Sequence, residues 1–415
     1  MRPRSPASFR AMLAAGLFAV VLAAGPAAAE MRQFGGLIFP VPPQFDDPVG
    51  SDTSQRAMWS NLPDDRCEYC RILIGPEAKA SGPISRWLDQ NREAFVDEDE
   101  RGDFKVGKPA TNTPLGKRDA AMLAQSDGSD MQVLVAIEAG GRFHLLGFDG
   151  DGGDEDELAE TGAVLTETFL PWLATLRFRA EGAPSLLPEP VAGGMEGLWW
   201  GWRSDVTLGT DLMMKTQNSY RTVTFWPDGT FYDGTPPLGL APPDRAALDT
   251  ARDTDWGNYV RQGDGMVLTY ADGRTEKAAR EGDGWTTGGF TLNRVEPLPD
   301  GTRIDGRISW ISFSGFAPGT GMTGGAGGGG ETVFHPDGRY EGSSFGTAFG
   351  SFAEGGGFSV GGGDDAAGGR YEVHDGLLVF APQKGRAERA VLAFSAEDSV
   401  MLGTDFLEGS VSPPR

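Results

Sequence analysis

Three patterns of apolar residues succeed one another along the chain. The first is a continuous run from Ala11 to Ala24, preceded by Arg2, Arg4 and Arg10 and followed by Gly25-Pro26 and Ala27-Ala28-Ala29. A basic start, a short greasy stretch and small residues before a cut mark a cleavable export signal. The run is shorter than the ~20 residues a spanning helix needs. Residues 1–29 are therefore expected to be removed, leaving Glu30 first. The mature chain is expected to be periplasmic or extracellular, with no transmembrane segment.

The second pattern, over residues 30–182, mixes periods of two and of three to four. Leu37-Ile38-Phe39 before Pro40 reads as an opening edge strand, and Arg71-Ile72-Leu73-Ile74 as a buried one. Gly82-Pro83 opens a helix to about Phe95 with Ile84, Trp87, Leu88 and Phe95 on one stripe. Ala120 to Leu123, Met131 to Ile137 and Arg142 to Phe148 read as a meander turned at Asp127-Gly128 and Gly140-Gly141. A helix over about 155–174 follows, with Leu158, Val164, Leu165, Phe169, Trp172 and Leu173 at helical spacing. This order predicts an α+β sandwich, and it resembles that of PsbP-like domains. Pro184, Pro188, Pro190 and Gly193 then make residues 183–194 a linker.

The third pattern is short alternating strands, and it occurs twice. Thr224-Phe225-Trp226-Pro227-Asp228-Gly229-Thr230-Phe231 returns 109 residues later as Val333-Phe334-His335-Pro336-Asp337-Gly338-Arg339-Tyr340. Gly257-Asn258-Tyr259 returns as Gly369-Arg370-Tyr371, and Asp264-Gly265 as Asp375-Gly376, at offsets of 112 and 111. Gly197 and Gly306 open the two copies. Pro-Asp-Gly between aromatic runs is a tight turn, and each Asp-Gly marks a hairpin. Residues 195–298 and 299–415 are therefore expected to be two tandem antiparallel β modules. Gly197-Leu198-Trp199 resembles the Gly-x-Trp signature of lipocalin-like (calycin) barrels. The resemblance implies that Arg294, on the last strand, packs over Trp199. The second copy departs from it, with Gly306-Arg307-Ile308 in place of the signature.

Charge narrows the partners. The chain carries a net charge of −23, and loss of the leader, with three Arg and no acid, takes it to −26. Such a surface repels nucleic acid and anionic lipid. The 62 glycines favour turns and β structure over long helices.

Six of the ten Trp lie in the first module: Trp199, Trp200, Trp202, Trp226, Trp256 and Trp285. Alternation puts Trp200 and Trp202 on one face of a strand and Trp199 on the other. The outward face needs cover from the second copy or from a partner. By the barrel resemblance, the loop Thr207 to Met214 caps the mouth. Trp202, Met213, Met214, Trp226 and Phe231 are then the candidate ligand-binding residues. The corresponding run Gly315 to Gly330 reads as flexible.

Other strings have plainer readings. Cys67-Glu68-Tyr69-Cys70 suggests a local disulfide, because strand rather than helix follows it. Asp149 to Glu160 lacks the ligand and glycine a calcium loop requires at its fifth and sixth positions. Gly342-Ser343-Ser344-Phe345-Gly346 has no following helix to make a nucleophile elbow, and Gly319 to Gly324 none to receive a dinucleotide. His144, His335 and His374 are scattered, so no metal site is expected. A hydrolase built on Ser344, Asp364 or Asp365, and His374 is the weakest reading. No catalytic residue and no cofactor are expected. The sequence points to a non-enzymatic envelope protein binding a small apolar ligand or a protein partner. An aromatic platform for glycan or protein is the alternative.

Overall fold

A computed structural model describes residues 30–46, 55–61, 67, 69–96, 103–106, 108–151, 154–192, 194–208, 214–315, 325–345, 367–383, 388–394, 400–402 and 405–412. The export signal, Met213, Asp364, Asp365 and Gly319 to Gly324 lie outside the described residues. The chain is mostly β and divides into two units. One holds the described residues up to Leu187 with Asp249–Asp253 and Asp272–Arg274, and the other holds the rest.

In the first unit, strands β1 (Met31–Phe34), β2 (Leu37–Pro40), β3 (Phe45–Asp46), β4 (Arg56–Ser60) and β5 (Arg71–Lys79) precede helix α1 (Ile84–Gln90). Strands β6 (Lys105–Val106), β7 (Thr111–Asn112), β8 (Ala120–Ser126), β9 (Asp130–Ala139) and β10 (Arg142–Asp151) lead to helix α2 (Glu155–Val164). A π turn (Leu165–Phe169), helix α3 (Leu170–Leu173) and β11 (Arg177–Phe178) complete it. The main sheet runs β3-β4-β5-β10-β9-β8-β6, with β7 beside β8. Alternation gives it two apolar faces. Ile72, Val133, Val135 and Phe148 meet Leu165, Phe169 and Trp172 on one side. Leu73, Leu134, Phe143 and Leu145 meet Ile84, Leu88 and Phe95 on the other.

Three expectations need correction here. Strand β2 is not an edge: it is the middle of a small sheet, β1-β2-β11, and Pro40 sits at its last residue, where a missing N–H costs little. Helix α1 stops at Gln90 because the Asn91 amide donates to Trp87 O at 2.8 Å. Phe95 still reaches the core, where Gly75 and Gly147 leave it room. The helix over 155–174 is interrupted by the π turn just before Pro171, whose ring lacks the N–H for a regular rung. Its start is held by a capping box of Asp154 and Glu157.

In the second unit, β12 (Gly197–Leu208), β13 (Met214–Phe225), β14 (Thr230–Asp233), helix α4 (Arg245–Ala251), β15 (Trp256–Gln262), β16 (Gly265–Tyr270), β17 (Thr275–Glu281), β18 (Gly284–Thr287) and β19 (Phe290–Pro297) come first. Each strand pairs with the next. Strand β19 returns to β12 through Leu198↔Val295, Trp199↔Arg294 and Trp200↔Asn293, closing an eight-stranded barrel. Trp199 and Arg294 are register partners across the closing seam, but the Arg294 side chain is 58% exposed and lies 3.9 Å from Glu296, so it does not cover the buried Trp199 as the barrel resemblance implies. The barrel core holds Trp199, Val223, Phe225, Phe231, Tyr259, Leu268 and Leu292.

A second meander follows: β20 (Arg303–Gly315), β21 (Gly325–Phe334), β22 (Arg339–Phe345), β23 (Ala367–His374), β24 (Leu377–Pro382), β25 (Glu388–Phe394), β26 (Val400–Leu402), β27 (Asp405–Phe406) and β28 (Glu408–Ser412). Its first and last strands pair from Arg303↔Ser412 to Arg307↔Glu408. Phe334, Tyr371, Leu378 and Phe380 lead its core.

The two meanders share a detailed geometry. Phe225 meets Tyr259 edge-on at 5.1 Å, and Phe334 meets Tyr371 edge-on at 5.2 Å. The Tyr259 hydroxyl lies within hydrogen-bond reach of Met195 O (2.9 Å) and Trp226 O (3.1 Å), sharing its one proton between them. That of Tyr371 reaches Ile304 O (3.0 Å) and His335 O (2.9 Å). One landmark differs. The two-residue turn of the first meander is Gly263-Asp264, since Gln262 faces Gly265, whereas that of the second is Asp375-Gly376. Positive φ falls on Gly263 (60°) in the first and on both Asp375 (50°) and Gly376 (73°) in the second, the conformation that favours Asp-Gly in tight hairpins. The glycine run is also not wholly irregular: Gly325 to Gly330 belong to β21 and pair with β20, the ladder supplying the order their side chains cannot.

Candidate functional site

One end of the closed barrel concentrates chemistry because its strands change character there together. Inward positions recur every second residue. On β13 they run Phe225, Val223, Arg221; on β14, Phe231, Asp233; on β16, Leu268, Tyr270; on β17, Ala278, Glu276; on β18, Trp285, Thr287. Each strand passes from apolar to polar, so a floor of rings is topped by a polar layer.

Arg221 is the centre of that layer. Its Nε and Nη2 donate to Asp233 Oδ1 (3.0 Å) and Oδ2 (2.7 Å), and its Nη1 and Nη2 to Glu276 Oε1 (2.9 Å) and Oε2 (2.7 Å). The Tyr270 hydroxyl donates to Asp233 Oδ2 at 2.6 Å, and Thr287 Oγ1 to Glu276 Oε1 at 2.7 Å. Paired forks of this kind are the strong form of ionic contact. Burial opposes charge on Arg221, but Asp233 and Glu276 outweigh it and hold the guanidinium protonated. Burial likewise opposes charge on Glu276, yet Arg221 keeps its carboxyl below the usual range. Burial and the Asp233 charge together push the Tyr270 hydroxyl up.

The turn Gly288-Gly289 folds over this layer. A Cβ on Gly288 would come within 2.6 Å of Arg221 Nη1, and one on Gly289 within 2.9 Å of Arg203 Nη1. Arg203 lies over the Phe290 ring at 4.6 Å and donates to Gly288 O at 3.0 Å. The mouth is therefore occupied by a satisfied ionic layer. None of its groups is placed as an activated nucleophile and base.

The residues singled out from sequence do not converge. Trp226 is buried and donates through Nε1 to Leu240 O at 2.9 Å. Phe231 is fully buried against Tyr270. Met214 opens β13, while Trp202 is 54% exposed on the outer face of β12. Its neighbour Trp200 is half-buried in a cluster with Leu198, Val295, Leu377, Val391 and Ala393, which joins the two meanders. Cys67 and Cys70 are disulfide-bonded and buried, with Cys67 Sγ 3.3 Å from Thr161 Oγ1. Asp149 of the calcium-like string pairs with Arg71 at 2.6 Å. Ser344 lies within β22, paired with Gly330. His335 is half-buried, and its Nε2 lies 3.5 Å from Glu341 Oε1.

Two groupings escaped sequence reading. The Arg221 layer was open to a parity count on each strand, because its members fall on the inward register. The exposed trio Asp300, His374 and Asp375, whose ligand atoms lie within 4.8 Å of one another, brings Asp300 to the adjacent pair His374-Asp375, 74 positions further on.

No family model matches the chain, and no curated protein matches it. Among solved structures, the Ran-binding protein Mog1p of Saccharomyces cerevisiae is 8% identical, covering 35% of this chain and 90% of its own at a TM-score of 0.27. Cyanobacterial PsbP from Synechocystis sp. PCC 6803 is 13% identical, covering 38% and 98% at 0.26. A protein of Bacteroides thetaiotaomicron VPI-5482 is 16% identical, covering 39% and 54% at 0.24. Likenesses this distant carry no functional argument. Among the described residues, no helix is long and apolar enough to cross a membrane.

Proposed function

We propose that this is an exported, non-enzymatic binding protein that holds a partner protein of the cell envelope through the aromatic hairpin β12–β13. Its N-terminal part is read as a PsbP-like α+β domain, and its C-terminal half as two tandem lipocalin-like modules. The matched Tyr259 and Tyr371 anchors support the duplication. The observation that carries the functional reading is the division of labour among three neighbouring tryptophans. Trp199 serves the barrel core and Trp200 the joint with the second meander, which leaves Trp202 exposed for contact. With rings below and the Arg221 layer above, the first barrel offers its surface rather than its interior.

A small apolar ligand is the second reading, and it attaches to the second meander. There Gly330 and Gly342, both buried, stand where the register of the first meander holds Arg221 and Asp233. Native mass spectrometry of protein purified from its own envelope separates the two. A stoichiometric protein partner lost with Trp202→Ala is the expected result. A small molecule that survives Trp202→Ala establishes the second reading, and bare protein in every preparation overturns both.

A further inference from the structure

At one end of the main sheet, the face that packs on α1 finishes in a row of polar side chains. Register sets them side by side. Trp59 on β4 faces Arg71 on β5, Arg71 faces Asp149 on β10, Asp149 faces Gln132 on β9, and Gln132 faces Gln125 on β8. Two residues further along these strands come Ala57, Leu73, Gly147, Leu134 and Leu123, the floor beneath Phe95 and Leu88. Exposure falls along the row: Trp59 is 40% exposed, whereas Asp149, Gln132 and Gln125 are buried. The Arg71 guanidinium lies 5.3 Å from the centre of the Trp59 ring, and its Nε donates to Asp149 Oδ2 at 2.7 Å. Gln125 Nε2 donates to Gln132 Oε1 (2.7 Å) and to Arg92 O (2.8 Å). Two acceptors are left over. Asp149 Oδ1 and Gln125 Oε1 are buried and meet no donor among the described residues.

The sheet does not require such a row. On its other face, Met58, Ile72, Phe148 and Val133 close the neighbouring positions of the same strands with apolar side chains. Buried acceptors without donors cost stability, and each one calls for a reason. Trp59 serves no core either, yet its backbone is held firmly. Asp46 and Arg71 pair with it on either side, and Ser60 N–H donates to Cys70 O (2.8 Å) beside the Cys67–Cys70 disulfide. An open ring on a rigid strand, leading to unmet acceptors, is the composition of a ligand site.

We propose that this row is a carbohydrate site, with a neutral pyranose stacked on Trp59 and its hydroxyls directed along the row toward Asp149 Oδ1 and Gln125 Oε1. A pyranose has an apolar C–H face for the ring, and its hydroxyls donate to the unmet acceptors while accepting from Arg71. The Arg71 charge beside the ring disfavours a cation, and the carboxylates of Asp149 and Asp130 disfavour an acidic sugar. The site lies in the first unit and is independent of the Trp202 hairpin.

The test presents the full mature chain to an array of neutral and uronic-acid oligosaccharides, with calorimetry of whatever it retains. Retention of a neutral oligosaccharide is expected. Trp59→Ala, which removes an exposed ring, should weaken it by about tenfold or more, and so should the isosteric Asp149→Asn, which leaves a weaker acceptor. Trp202→Ala should leave it unchanged, which separates this site from the hairpin. Should Asp149→Asn fail to fold, Trp59→Ala decides alone. No retention of any neutral oligosaccharide, retention that survives Trp59→Ala, or retention lost only with Trp202→Ala overturns the proposal.

Discussion

His144 is a buried imidazole without a hydrogen bond to its Nε2. Its ring lies tilted against that of Phe178 at 4.7 Å, with Glu77 Oε2 3.7 Å from its Nδ1. Burial first, and Arg142 after it, lower its pKa from 6.5 to about 4. Depression of a histidine means that the unfolded chain takes up the proton first, so acid favours unfolding. Stability should be level above pH 6.5 and fall by about 3 kcal/mol on the way to pH 4. Urea unfolding across this range tests it: His144→Leu should flatten that part of the curve, and an unchanged slope would assign the effect elsewhere. At this scale the sequence was least legible. His144, Arg221 and Asp149 owe their roles to register and burial, which are decided by strands far away in the chain. Trp202 was the exception, because alternation along one strand was enough to set it apart from Trp199.

Elements were more readable than residues, since each depends on a local pattern. The meander β8–β10 and its Gly128 and Gly140-Gly141 turns stand where periodicity and turn chemistry put them. The misses have local causes too. Gly263-Asp264-Gly265 contains two overlapping turn signals, and the chain uses the first. Gly325 to Gly330 has no side-chain pattern to read, yet its backbone pairs on both sides in part. The two hairpin glycines now make a contrast. Both have positive φ, but a Cβ on Gly376 would also come within 2.5 Å of Leu240 Cδ1, while one on Gly263 meets nothing within 4 Å. Gly263→Ala should therefore cost about 1 kcal/mol of backbone strain, and Gly376→Ala clearly more. Equal losses in chemical denaturation would refute the packing part of that account.

For the molecule as a whole, the joint between the two meanders decides how they behave. Leu198, Trp200 and Val295 of the first pack on Leu377, Val391 and Ala393 of the second. Strand β19 also pairs with β25 through Glu296↔Phe394 and Pro297↔Ala393. The two should melt together in calorimetry. Trp200→Ala, which removes the largest ring at the joint, should cost roughly 3 kcal/mol and split the transition in two. A transition that stays single and loses no stability would mean the joint is not what couples them. The twofold pattern in the sequence made this organisation visible, and alternation along β12 pointed to the outward tryptophan face as the one needing cover, which Trp200 finds against the second meander.

The closing seam of the barrel is short. Strand β12 faces β13 over twelve consecutive residues but meets β19 only at Leu198–Trp200, and β13 meets β14 only at Val223–Phe225. Gly201 and Arg203 still lie against Thr291, Phe290 and Gly288; past them the hairpin is a two-stranded ribbon with no third strand on either rim among the described pairings. Such rims present rows of backbone donors and acceptors along which a foreign extended peptide can zip. The same ribbon that carries Trp202 is therefore where a neighbour could be stitched on by main-chain bonds, and where crowded copies would begin to adhere.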